Sequence, residues 1–225
     1  MAKQGADNEQ LYERVSSDIL SGDIKPFYLL FGKEHYYIDK VCDLLMENVL
    51  SEEERAFGQI VYFGADVTAD QVVGTARQYP MMVSRQLVVV KEAQMMKKVE
   101  DIYSYFSHLM KSTVLVICYK TPTDPMVTKN IDKRTKFYKE AGGIGEVLEF
   151  VPTPEYNMPL RIEKFVSLRG YRIEPEAAAL FAEFCGTELN KVEAELDKIS
   201  KNLPSGSLIT VPVIEENVGL MRDYS

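Results

Sequence analysis

The sequence predicts an α/β protein in which a parallel five-stranded sheet flanked by helices is followed by a small all-helical domain. Apolar runs of strand type alternate with segments of helical periodicity over the first 150 residues, which is typical of a parallel sheet. Two of these runs, residues 87–90 and 114–117, are apolar at every position, as central strands covered on both faces should be. After residue 151 the periodicity becomes helical throughout.

The predicted elements follow one another in a regular order along the chain. A short leading helix with Leu11, Val15, Ile19 and Leu20 on its apolar face ends near Gly22 and should pack against the sheet domain. The five strands are predicted at residues 27–31, 59–63, 86–91, 113–119 and 146–150. Helices are predicted between them at about residues 36–50, 68–78, 98–110 and 130–141.

A domain boundary is predicted at residues 151–154. Pro152 and Pro154 each remove a backbone donor and push the preceding residue toward an extended conformation. We therefore expect domains at residues 1–151 and 152–225. In the second, three helical segments are followed by a short stretch at residues 208–210 and by a fourth helix that starts around Val213.

Composition excludes several classes of protein. The chain has 225 residues, of which 46% are hydrophobic, so it can bury a sizeable core. It contains neither an apolar run long enough to span a bilayer nor an apolar signal-peptide core near its first residues, so we expect a cytoplasmic protein with no membrane partner. The net charge of −8 argues against broad nonspecific binding to nucleic acid. Three distant cysteines in apolar patterns, Cys42, Cys118 and Cys185, are expected to be buried free thiols.

The turn after the first strand has the layout of a phosphate-binding loop without its residues. An apolar strand ends at Gly32, Lys33 and Glu34 follow, and a helix begins just after them. A phosphate-binding loop needs several glycines, a later Lys and a Ser or Thr for magnesium. Two interpretations remain open from this segment: an ordinary strand-to-helix turn, or a degenerate nucleotide site.

A second unusual segment precedes the third strand. Pro80 should end the preceding helix, and Met81, Met82 and Val83 then place apolar side chains in a connection. One interpretation is that the methionines fill space under the sheet. The other is that they form a flexible apolar anchor for a partner's groove. The pattern alone does not separate the two.

Other candidate residues fit no catalytic or metal-binding spacing. His35 and His108 are interpreted as surface or packing residues. Asp39 and Asp43, one helical turn apart, are typical of a solvated helix face. A basic strip on one helix could contact phosphate, although acidic neighbours favour a solvated face; its members are Lys129, Lys133, Arg134, Lys136 and Lys139. No metal site and no cofactor are predicted.

With these features in place, the chain resembles the delta-subunit family of bacterial DNA polymerase III clamp loaders, over the two N-terminal domains of that family. Three segments carry the resemblance: the leading helix running into residues 25–34, the block at residues 81–90, and residues 186–199. Each motif is moderately specific, but their order and spacing cover nearly all of the chain.

The resemblance implies an AAA+-like fold with a helical lid and no nucleotide site of its own. It implies a non-catalytic subunit of the DNA polymerase III holoenzyme, a DNA-directed DNA polymerase, that binds the DNA sliding clamp and favours an opened ring. Met81 and Met82 fall where the family inserts two apolar residues into the clamp. Tyr79, Pro80 and Val83 would shape that segment, with Arg85 at its edge. The family more often has Leu-Phe there, so this chain departs from it in lacking an aromatic residue.

The implied partners are the sliding clamp, the loader's ATPase subunits and primed DNA in the assembled complex. Family members continue into a third, helical collar domain, which we expect to be absent here, so the chain should bind a clamp yet not join the ATPase subunits stably. The main alternative is a nucleotide-binding enzyme with an atypical phosphate loop. A weaker one is a generic α/β adaptor whose methionine loop binds another partner.

Overall fold

The computed structural model describes the backbone of residues 8–222 and the side chains of residues 8–217. Residues 1–7 and 223–225 lie outside this range. The chain divides into two compact units, Met1–Val151 and Pro152–Ser225.

The first unit is built on a five-stranded parallel sheet. Its strands are β1 (Phe27–Gly32), β2 (Gln59–Phe63), β3 (Gln86–Lys91), β4 (Thr113–Lys120) and β5 (Glu146–Phe150). They lie in the order β2-β3-β4-β1-β5, and every neighbouring pair is parallel. The predicted parallel five-stranded sheet is confirmed, and β3 and β4 are central strands, as their apolar runs indicate.

Helices cover both faces of this sheet. The helices are α1 (Asn8–Leu20), α2 (His35–Asn48), α3 (Glu52–Gly58), α4 (Ala69–Ala76) and α5 (Lys136–Ile144). On one face α2 packs on β1, β4 and β5, and α1 packs on α2. On the other face α4, α5 and a 3-10 segment at Val99–Tyr105 enclose an extensive apolar cluster. The central strands β3 and β4 are therefore covered on both faces, which explains why their runs at residues 87–90 and 114–117 are apolar at every position.

Two helix predictions in this unit need correction, and one helix was missed. Residues 98–110 form no α-helix but the 3-10 segment, whose buried residues Val99, Ile102 and Tyr105 are spaced by three, matching three residues per turn. The helix predicted at 130–141 begins at Lys136, because the Asp132 carboxylate accepts a hydrogen bond from the Arg134 N–H and forms a turn that competes with the helix. Helix α3 was not predicted.

The late start of α5 also breaks up the predicted basic strip. Lys136 and Lys139 lie on the helix, whereas Lys129, Lys133 and Arg134 precede it. Lys133 forms an ion pair with Glu149 at 2.6 Å, and Arg134 forms one with Asp132 at 2.9 Å. The strip is therefore not a continuous helical surface, and two of its five charges are paired with carboxylates.

The second unit is mainly helical. It contains α6 (Met158–Leu168), α7 (Pro175–Cys185), α8 (Leu189–Asn202) and α9 (Val211–Arg222). It also contains two two-residue strands, β6 (Arg172–Ile173) and β7 (Leu208–Ile209), which pair in parallel and which the prediction of an all-helical domain did not include. Among residues 8–222, no helix has the length and apolar character needed to cross a bilayer.

Candidate functional site

The turn after β1 is shaped by sheet packing. Gly32 has a φ of 130°, and it lies opposite Phe150 in the register of β1 and β5. A Cβ atom at this position would lie 2.0 Å from the Phe150 carbonyl oxygen. Because no side chain fits there, this glycine is required by the close approach of two strands.

The next residues place a carboxylate where a phosphate-binding loop would hold phosphate. Lys33 is exposed, and Glu34 is buried at the N-cap of α2, where its carboxylate accepts a hydrogen bond from the Tyr36 N–H. The free N–H groups at a helix N-terminus are what bind phosphate in such loops. Here a negative side chain occupies that position and would repel a second anion.

An ion-pair network lies at the carboxyl ends of the neighbouring strands. The Lys120 ammonium, at the end of β4, lies 2.9 Å from Asp39 of α2 and 3.2 Å from Glu92, which follows β3. Burial lowers the pKa of Lys120, but the hydrogen bond and charge of Asp39, together with Glu92, outweigh burial and raise it overall. For the Glu92 carboxyl, burial raises the pKa. The hydrogen bond from Gln94 and the charge and hydrogen bond of Lys120 outweigh burial, so the pKa is lowered overall. Lys120 is thus held by two protein carboxylates.

The segment before β3 projects its apolar residues into solvent. Tyr79, Met81 and Met82 are 80%, 81% and 82% exposed. Pro80, Val83 and Arg85 are half-buried. The interpretation that the methionines fill space under the sheet is therefore wrong.

The base of this loop is closed by Gln86, which sequence analysis did not single out. Its buried side-chain amide donates to the carbonyls of Thr75 and Gln78, at 3.1 and 2.9 Å, and lies 2.9 Å from the Thr113 hydroxyl. Thr113 in turn donates to the Ala76 carbonyl. A polar residue at the first position of an otherwise apolar central strand is the signal that could have identified it. The hydrogen bonds hold both ends of the loop, so residues 79–85 project from a fixed base.

We expect Gln86→Leu to loosen this base. The substitution removes the amide donors and leaves the Gln78 carbonyl and the buried Thr113 hydroxyl with fewer partners, which should cost about 1–3 kcal/mol of folding free energy. Hydrogen exchange of residues 78–86 should accelerate more than that of β4, and thermal unfolding should shift downward. Gln10→Leu, at an exposed position of α1, is the matched control. Equal protection in the two variants would contradict the assignment.

The backbone at the tip of the loop has an uncommon conformation. Met82 has a φ of 67°, one of two non-glycine residues with positive φ in the described part of the chain; the other is Glu92. Such a conformation costs about 1–2 kcal/mol for a residue with a Cβ atom. It turns the chain so that two neighbouring methionines both face solvent.

The histidines and cysteines singled out in the sequence have the following surroundings. His35 donates through Nε2 to the Thr121 carbonyl at 2.8 Å, and His108 is exposed. The three cysteines are free and buried, as predicted, and burial raises the pKa of the Cys185 thiol to about 11. Within residues 8–222, no group of three or more His, Cys, Asp or Glu side chains is arranged to hold a metal ion.

The parallel sheet, its strand order and the helical unit that follows define an AAA+-like α/β protein. The chain belongs to the DNA polymerase III delta-subunit family, because the family model described as "DNA polymerase III, delta subunit" matches residues 28–141, just over half of the chain. A curated relative, DNA polymerase III subunit delta of Bacillus subtilis, is 30% identical over 77 residues, which cover 34% of this chain and 22% of that protein.

Solved structures support the same fold. The Bacillus subtilis DNA clamp loader delta protein superposes with a TM-score of 0.71 at 21% identity, covering 91% of this chain and 61% of that one. The RuvB Holliday junction branch migration motor of Thermotoga maritima superposes with a TM-score of 0.50 at 12% identity, covering 95% of this chain and 68% of that one. This chain thus spans about three fifths of the solved delta protein's length.

Proposed function

We propose that this chain binds the DNA sliding clamp through Met81 and Met82 and, as a clamp-loader delta subunit, helps to open the ring for loading onto primed DNA. The observation that carries the proposal is the pair of adjacent methionines, each more than four fifths exposed, at the tip of a loop with a fixed base. Exposed apolar side chains concentrated in this way are typical of an interaction site.

The side chains suit an irregular apolar pocket. Methionine is unbranched and polarisable, so it adapts to a cavity that a rigid aromatic residue would have to match in shape. Full burial of each side chain is worth roughly 1.5–3 kcal/mol, before the costs of association are subtracted. The Gln86 hydrogen bonds reduce those costs, since the base of the loop is already ordered before binding.

The chain would perform this work without its own ATPase activity. Glu34 caps the helix N-terminus that would otherwise bind phosphate, and Lys120 is paired with Asp39 and Glu92. A subunit of this kind acts through binding energy: if it contacts the open ring better than the closed one, binding shifts the population toward the open state. ATP-driven rearrangement of neighbouring subunits would then control when the loop is accessible.

We expect no saturable heat when Mg-ATP is titrated into the chain, because the Glu34 carboxylate would repel the phosphates and the turn lacks glycines after Gly32. Isothermal titration calorimetry measures this directly, with an ATPase subunit of the same loader as positive control. Binding in the micromolar range would favour the second candidate, a nucleotide-binding enzyme with an atypical phosphate loop.

The ATPase subunits and primed DNA are proposed as partners in the assembled loader. DNA contact by this chain alone is disfavoured by its net charge of −8 and by the ion pairs of Lys133 and Arg134. Any DNA contact would therefore be shared with other subunits.

Calorimetric titration of the chain with the sliding clamp of the same organism tests the proposal. We expect saturable binding with one chain for each clamp monomer face. A generic adaptor would leave the clamp unbound, and that result would contradict the proposal.

A further inference from the structure

We infer that Phe57, at the end of α3, is a second apolar contact on the surface that binds the clamp. The inference rests on the proposed function and identifies another part of the same surface. Phe57 is 58% exposed, although it belongs to a short helix whose neighbouring residues are held firmly in place.

Helix α3 is in direct contact with the loop of residues 79–85, which carries Met81 and Met82. A Cβ atom added at Gly58 would lie 2.9 Å from the Arg85 carbonyl oxygen and 3.0 Å from the Val83 side chain. The glycine therefore allows the end of α3 to lie against the carboxyl-terminal half of the loop. Phe57 precedes this contact by one residue, and Met82 precedes Val83 by one residue.

The two apolar groups are close enough to enter one interface. Two Cα–Cα steps of about 3.8 Å, added to the Gly58–Val83 contact, place the Cα atoms of Phe57 and Met82 at most about 15 Å apart. A standard interface covers about 800 Å² of each partner, a patch roughly 30 Å across. A partner seated on Met81 and Met82 would therefore reach Phe57.

The platform that carries Phe57 is rigid. Ser51 and Glu54 form a reciprocal capping box at the start of α3, and the Arg55 guanidinium donates to the Glu47 carbonyl at 2.6 Å. The backbone that carries Phe57 is therefore already ordered before a partner binds, which lowers the entropic cost of the contact. Phe57 would also supply the aromatic contact that the methionine pair itself lacks.

Phe63 provides a matched control on β2, the edge strand that directly follows α3. It is 51% exposed, but it lies at the far end of β2, opposite Lys91, on the order of 16 Å from Gly58 along the strand. The same substitution at the two positions therefore compares two exposed phenylalanines that differ in their distance from the loop.

We expect Phe57→Ala to weaken clamp binding roughly tenfold and Phe63→Ala to change it less than twofold, measured by calorimetry beside the unsubstituted chain. A second measurement does not depend on truncation. The chain has no tryptophan, so Phe57→Trp introduces a single indole, whose emission should shift to shorter wavelength when the clamp is added. Phe63→Trp should show no such shift after the clamp spectrum is subtracted.

The outcomes separate this inference from the proposed function. If the unsubstituted chain binds the clamp, but Phe57→Ala binds equally well and Phe57→Trp keeps its spectrum, the inference is overturned and the proposed function stands. Equal weakening by Phe57→Ala and Phe63→Ala would also overturn it, because the effect would not depend on the loop. If the unsubstituted chain does not bind the clamp, the proposed function itself fails.

Discussion

Replacing Met81 and Met82 together by alanine is expected to weaken clamp binding by at least ~2 kcal/mol, about 30-fold in Kd, while leaving folding unchanged. Both side chains are exposed, so the truncation removes contacts to a partner and none to the core. Alanine keeps a Cβ atom at Met82, so the backbone preference at the tip of the loop changes little. Calorimetric titration with the clamp measures the loss, and thermal unfolding checks the fold.

Two other exposed methionines provide the control. Met95 and Met126 are 60% and 89% exposed and lie outside the loop. A Met95→Ala, Met126→Ala double variant should bind the clamp like the unsubstituted chain. Equal loss in both double variants would indicate nonspecific apolar attraction. Unchanged binding by the Met81→Ala, Met82→Ala variant would show that the loop is not the contact.

The sheet was predictable because its signal is local and strong. The runs at residues 59–63, 86–91 and 146–150 coincide with β2, β3 and β5, and β1 and β4 each extend one residue further than predicted. The central strands β3 and β4 are buried on both faces and therefore carry long apolar runs, so their positions are visible in the sequence.

The missed elements depend on weaker or competing signals. Ser51 caps helix α3, and Glu54 follows it by three residues, a capping-box pattern that could have been recognised. The prediction of an α-helix at residues 98–110 was wrong because apolar residues spaced by three, as in a 3-10 helix, are hard to distinguish over two turns from the three-to-four spacing of an α-helix. At residues 132–135, local side-chain hydrogen bonds oppose the helix that the pattern favours.

The candidate site was predictable in position but not in geometry. The sequence indicated Met81 and Met82 as unusual, yet an apolar pair in a connection is equally consistent with burial and with exposure. The residues that fix the loop, Gln86 and Thr113, lie 27 positions apart, and a single sequence does not reveal that they meet. The same holds for Lys120, whose partners Asp39 and Glu92 come from different elements.

Gly32→Ala is expected to destabilise the first unit by about 3 kcal/mol or more, because it combines an unfavourable positive φ with a collision against backbone atoms. The added Cβ atom would lie 2.0 Å from the Phe150 carbonyl oxygen, so β1 and β5 would have to separate. Thermal unfolding followed by circular dichroism should show a large downward shift, since typical domains have only about 5–15 kcal/mol of stability.

Gly74→Ala is the matched control for this substitution. Gly74 lies in α4, and a Cβ atom there would meet nothing within 4 Å, so alanine should stabilise the helix by roughly 0.5–1 kcal/mol. The opposite signs of the two effects would show that Gly32 is retained for strand packing. A phosphate-binding glycine would instead give Gly32→Ala near-normal stability, together with an effect on nucleotide binding, and that pair of results would contradict the structural role assigned to it.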